Sequence, residues 1–153
     1  MSLPSSKKHV PKVVLDVNVW VSALLWGGKP AEIVVAAEKR QINVFLSEEI
    51  VQEFSQVLSY PKIKKIYQTE GLNEEKLVEA VLKVSKFVGA TEKVKVVMEH
   101  PADDKFIECA QAAGAKYIVS GDKHLLKIAH YKKTRILSVN EFLQILQNEH
   151  ARL

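Results

Sequence analysis

At 153 residues, 47% of them hydrophobic and 26% charged, the chain fits one ordinary globular domain and leaves little room for a second. A single cysteine, Cys109, excludes an intramolecular disulfide, and the five histidines (His9, His100, His124, His130 and His150) show no zinc-site spacing. The formal charge of +4 is compatible with a polyanionic partner, and equally with a lysine-rich solvated surface.

Residues 1–11 carry Pro4, Lys7, Lys8 and Pro11 with no apolar run, and read as a flexible tail rather than a signal peptide. No apolar stretch is long enough to span a bilayer, so the expected setting is cytoplasmic, without a membrane partner. Val13–Leu15 is a short apolar run, read as a strand buried on both faces and ending at Asp16. Val17–Leu25 is apolar enough to close onto the core as a helix or turn, and Gly27-Gly28 stops it. Pro30 suits the first turn of a helix through Arg40.

Val44–Leu46 is a second strand, and Ser47 caps a helix whose apolar Ile50, Val51, Phe54, Val57 and Leu58 recur at helical spacing. Pro61 ends it. A short helical piece over Lys62–Gln68 leads to Gly71, and Asn73 caps a helix from Glu74 to about Lys86. Lys93–Val97 is read as a third strand. Asp104–Ala113 forms a helix broken by Gly114, Tyr117–Val119 a fourth strand, and Thr134–Leu137 a fifth. Ser138 and Glu141 make a capping box for a last helix running to about Gln147. Short, nearly all-apolar strands alternating with helices predict an α/β domain with a parallel sheet.

In such sheets ligands bind beyond the carboxyl ends of the strands. Asp16 directly follows the first strand, Asp122 lies just past the fourth, and Asp104 opens the helix after the third. Glu53 borders the apolar arc of its helix and is placed to reach over the same rim, whereas Glu48 and Glu49 suit the helix dipole. Each acid alone has a plain alternative: a turn, a helix terminus, an Asx-turn or a solvated surface. Gathered together, they would repel one another unless a cation lay between them. Magnesium or manganese, one ion or two, suits an all-carboxylate set better than zinc does.

The segments VVLDVNVWVSAL (Val13–Leu24), SEEIVQEFSQVLSYPKI (Ser47–Ile63), HPADDKFIECAQAAGAKYIVSGDKHLL (His100–Leu126) and ILSVNEFL (Ile136–Leu143) resemble, in order and spacing, the PIN-domain family. The resemblance implies a three-layer α/β domain over residues 12–147, its central parallel sheet of four to five short strands flanked by helices, with residues 148–153 as a C-terminal tail. It implies an Mg²⁺- or Mn²⁺-dependent endoribonuclease whose products carry a 5′-phosphate and a 3′-hydroxyl. Asp16, Glu53, Asp104 and Asp122 take the catalytic, metal-holding positions. Asp104 is preferred to Asp103 because Ile107 and Ala110 follow it at the apolar spacing. Asn18 and Ser120 match polar positions that support the acids.

Where many relatives carry a further Asp, this chain has His124. The chain is most similar to the prokaryotic VapC-like branch of toxin–antitoxin pairs, which implies an antitoxin partner and a homodimer or higher homo-oligomer. Lys62, Lys64, Lys65, Lys123 and Lys127 would hold RNA by its phosphates, and apolar Val19, Trp20, Leu24 and Leu25 would offer surface to a partner.

Alternative readings are a non-catalytic RNA- or antitoxin-binding module and an RNA-processing nuclease outside toxin–antitoxin systems. A haloacid-dehalogenase-like phosphatase needs an Asp where this chain has Asn18. A receiver domain needs an acid pair and a separate nucleophile that are not found, and a Rossmann site needs a Gly-rich first turn.

Overall fold

The computed structural model describes residues 10–151, so most of the expected N-terminal tail lies outside the described residues. The sheet has six strands: β1 (Lys12–Leu15), β2 (Asn43–Leu46), β3 (Ser85–Phe87), β4 (Tyr117–Val119), β5 (His130–Tyr131) and β6 (Thr134–Leu137). Their order is β3-β2-β1-β4-β6-β5, parallel throughout except for β5 at one edge. Valine and leucine dominate β1, whose Val13, Val14 and Leu15 are fully buried; this is the composition of a strand covered on both faces.

The helices are α1 (Val17–Leu25), α2 (Gly28–Glu38), α3 (Glu48–Leu58), α4 (Pro61–Thr69), α5 (Glu74–Lys83), α6 (Asp104–Ala113), α7 (Lys123–Leu126) and α8 (Val139–Ala151). α6 lies across β1, β2 and β4, while α2 packs against α1 and α8. The result is a mixed α/β domain whose mostly parallel sheet is flanked by helices. Among the described residues no single helix is long and apolar enough to cross a membrane.

Expectation and structure part at five places. Lys93–Val97 is not a strand. The amides of Val96 and Val97 both donate to Asp104 Oδ1, at 3.0 and 2.8 Å, and the Val94 amide donates to Glu108 Oε2 at 3.1 Å. Carboxylates of α6 thus take the donors that a ladder would have used. The third strand is instead Ser85–Phe87, where the α5 helix was expected to continue; it pairs with Val44–Leu46 as an edge strand.

The hairpin of β5 and β6 turns through Lys132-Lys133, with Lys132 at φ 52, a conformation that glycine or asparagine would have signalled. Finally, α8 runs to Ala151, so part of the expected C-terminal tail is helical. Val19 and Trp20, expected as partner surface, are 4% and 0% exposed and belong to the core; Leu24 and Leu25 are partly buried against it. Trp26, by contrast, is 59% exposed.

Candidate active site

The chain builds β2 and β3 on one side of β1, then crosses to build β4 and β6 on the other. The switch falls between β1 and β4, and in open sheets of this kind ligands bind beyond the strand ends at that point. Two side chains meet there. Asp16, just past β1, is 3% exposed and caps α1, its Oδ1 accepting from the Val19 amide at 2.9 Å. Ser120, just past β4 and fully buried, donates its hydroxyl to Asp16 Oδ2. The same hydroxyl oxygen accepts from the Asp122 amide at 2.9 Å. Asp122 in turn caps α7, its Oδ1 accepting from the His124 amide at 2.7 Å.

Burial pushes the Asp16 carboxyl above its ordinary range; hydrogen bonds from Ser120 and the Val19 and Gly121 amides oppose this, and the nearby charge of Asp122 adds to it.

The third acid of this rim is Asp103. It lies in a 3-10 turn, Pro101–Asp103, that leads into α6, and it is 6% exposed. Burial and then the charge of Asp122 push its carboxyl up to about 6; His100 works against this, and Glu53 and Asp16 add to it. His100 Nδ1 lies 3.2 Å from Asp103 Oδ2 but is not aligned to donate, so this buried oxygen has no hydrogen-bond partner. Asp104, the acid expected from the sequence, has its Oδ1 occupied by the Val96 and Val97 amides. Apolar spacing along α6 cannot reveal Asp103, because the residue precedes the regular helix; Pro101, two residues earlier, is the local sign of the turn.

Glu53 on α3 is half-buried and pairs with the Lys105 ammonium from α6. Asn18 is exposed on the first turn of α1 and makes no side-chain hydrogen bond among the described residues. Lys62, Lys64 and Lys65 are exposed on α4, which packs on the Glu53 helix. Lys123 is exposed on α7 and Lys127 just past its end, 3.4 Å from Glu99 Oε1. His124, also on α7, has its Nδ1 3.2 Å from the same Glu99 oxygen, and its ring lies parallel to that of His100 with centroids 5.8 Å apart.

The donor set is all oxygen, which fits a hard divalent cation, and the buried Asp103 Oδ2, which has no hydrogen-bond partner, is the kind of atom such an ion satisfies. Among the described residues no three His, Cys, Asp or Glu side chains close around one point as a ready-made metal cage. Magnesium, which keeps several waters and needs few carboxylates, makes the least demand on such a cage.

Compared with known proteins, the sequence matches the family model of the PIN domain over residues 12–124. No curated protein matches the sequence. Among solved structures, the fold is similar to a chain in the crystal structure of VapBC2 from Rickettsia felis bound to a DNA fragment from their promoter. That alignment has a TM-score of 0.57 and 12% sequence identity, and covers 83% of this chain and 98% of that one. At that identity the likeness is one of fold.

Proposed function

The chain belongs to the PIN-domain family, and on that premise we propose that it is a divalent-metal-dependent endoribonuclease acting as the toxin of a toxin–antitoxin pair. PIN domains are generally nucleases that use divalent metal ions. The observation that carries the reading here is Asp103: a buried carboxylate with one oxygen that has no hydrogen-bond partner, in the fields of Asp122, Glu53 and Asp16, opposed by His100, near the switch point of the sheet. A bound cation would relieve the repulsion among these acids.

Asp16, Asp103 and Asp122 would hold Mg²⁺ or Mn²⁺, which when bound supplies the Lewis acidity that phosphodiester hydrolysis requires. Ser120 orients Asp16 and, through its contact with the Asp122 amide, keeps the ends of β1 and β4 in register with each other. Lys62, Lys64 and Lys65 on one side, and Lys123 and Lys127 on the other, would hold a single RNA strand by its phosphates. The fold likeness to a VapBC2 chain supports the toxin reading, with a small antitoxin protein as partner and a cytoplasmic setting. The exposed Trp26 and Val35 on neighbouring helices are apolar surface suited to a homodimer.

The second reading, a non-catalytic module that binds RNA or an antitoxin, draws on the lack of a closed three-ligand cage among the described residues. One experiment separates the two. Purified protein is incubated with single-stranded RNA and Mg²⁺ or Mn²⁺, alongside Asp16→Asn and Asp103→Asn. The nuclease reading requires metal-dependent cleavage that both substitutions abolish without unfolding the protein. Equal cutting by metal-free protein would remove the metal from the proposal, and RNA binding without cleavage would establish the module.

A further inference from the structure

Lys105 is the residue of the acid rim that neither its composition nor its motif calls attention to. It is the second residue of α6, two positions after Asp103, and its side chain is only 20% exposed, an unusual state for lysine. Its ammonium crosses from α6 to α3 and pairs with Glu53 Oε1. Glu53 itself keeps only 27% of its side-chain surface and lies close enough to Asp103 for its charge to be felt there. Lysines elsewhere in the molecule are held far more loosely: Lys93 and Lys127, the other two in ion pairs among the described residues, are 66% and 72% exposed.

We propose that Lys105 is a built-in counter-cation of this rim, holding Glu53 in an ion pair so that one divalent ion, not two, binds on the remaining acids. The inference rests on the metal-site reading above and adds to it a stoichiometry and a role for a basic residue. The physical reason is charge. Asp16, Asp103, Asp122 and Glu53 bring up to four negative charges to one edge when all are ionised. One divalent ion plus one fixed ammonium offsets most of that, whereas a second divalent ion would have to displace an ammonium that already satisfies Glu53. Lysine gives a point charge on a flexible stem, so it can neutralise Glu53 without filling the crevice. Lys105 acts here through Glu53 and is a positioning residue.

The test is Mn²⁺ binding by the intact chain, followed by electron paramagnetic resonance and titration calorimetry, in four proteins: native, Lys105→Met, Lys105→Arg and Glu53→Gln. The native protein is expected to bind one Mn²⁺ per chain. Glu53→Gln should keep one ion with affinity within about threefold, because Glu53 is already committed to Lys105. Lys105→Met frees Glu53, and is expected either to admit a second Mn²⁺ or to tighten the single ion at least tenfold. Lys105→Arg keeps the cation and should behave as native.

Two Mn²⁺ ions in the native protein, or a tenfold loss of affinity in Glu53→Gln, would overturn the role of Lys105 while leaving the metal site standing. Unchanged Mn²⁺ binding in Lys105→Met, with the fold intact by circular dichroism, would overturn it too. Absence of Mn²⁺ binding in all four proteins would sink the metal site and this inference together.

Discussion

Ser120 donates its hydroxyl to Asp16 across 104 positions of sequence, tying the end of β4 to the end of β1 at the point where the sheet changes direction. Both groups are buried, so neither can exchange its partner for water without cost. Ser120→Ala is therefore expected to destabilise the fold by about 1–2 kcal/mol, the usual effect of leaving a buried acceptor short of a donor. It should also raise the Asp16 carboxyl further, since the Ser120 hydrogen bond is the largest influence lowering it. Urea unfolding of the two proteins at neutral pH measures the first effect, and a midpoint identical to native would show that the bond contributes nothing.

Asp103 makes stability depend on pH in a direction opposite to that of an ordinary paired carboxylate. Its folded-state value is about 6 against an unfolded value of 3.8, so between these limits the folded chain binds the extra proton. The contribution of Asp103 to stability should accordingly be greatest below about pH 4, fall as the pH rises towards 6, and level off above it, read as the difference between native protein and Asp103→Asn. The expected loss is on the order of 2–3 kcal/mol in metal-free protein. Asp103→Asn should flatten that part of the profile, and so should saturating Mg²⁺, which would favour the ionised form. Thermal unfolding from pH 4 to 7, with and without Mg²⁺, gives the result; a stability of native protein relative to Asp103→Asn that rises over this window would contradict the assignment.

The adjacent acids Asp103 and Asp104 should separate cleanly on substitution. Asp104 Oδ1 accepts from two backbone amides, so Asp104→Ala strands buried donors and is expected to cost about 2–4 kcal/mol. Asp104→Asn keeps an acceptor oxygen in place and should fold with a smaller penalty and retain cleavage. Asp103→Ala removes a carboxyl that burial and its acidic neighbours disfavour, and should be neutral or stabilising in metal-free protein while abolishing cleavage. Amide hydrogen exchange offers an independent check: Val96 and Val97 should lose protection in Asp104→Ala and keep it in Asp103→Ala.

Cys109 on α6 has no exposed surface, and burial pushes its thiol up to about 12. A thiol so placed is almost wholly protonated at neutral pH and a poor nucleophile. Alkylation should proceed only through opening of the domain, with a rate that tracks global stability across the substitutions above. Labelling that is complete within seconds under native conditions would show that α6 opens locally.

Much of the architecture was legible because its signals are local. Short, mostly apolar runs mark β1, β2, β4 and β6, and Ser47 and Asn73 cap α3 and α5 with the hydrogen bonds that their side chains suggest. The misread segments are those in which a long-range partner overrides local preference. Val94–Val97 is as β-prone as any true strand, yet two carboxylates of α6 claim its amides. Ser85–Phe87 continues a helical pattern but finds an open edge on β2.

Taken by itself, the sequence determined the α/β class, the positions of Asp16, Ser120 and Asp122 at strand ends, and the acidic character of the rim, because strand composition and turn chemistry act over a few residues. Only the tertiary structure gave Asp103 and Asp104 their different surroundings, the charges of Asp122, Glu53 and Asp16 around one and the Val96 and Val97 amides on the other. It alone brought Lys105 to Glu53 across 52 positions. Charge balance at a crevice is a property of side chains meeting in space, and no spacing along the chain encodes it.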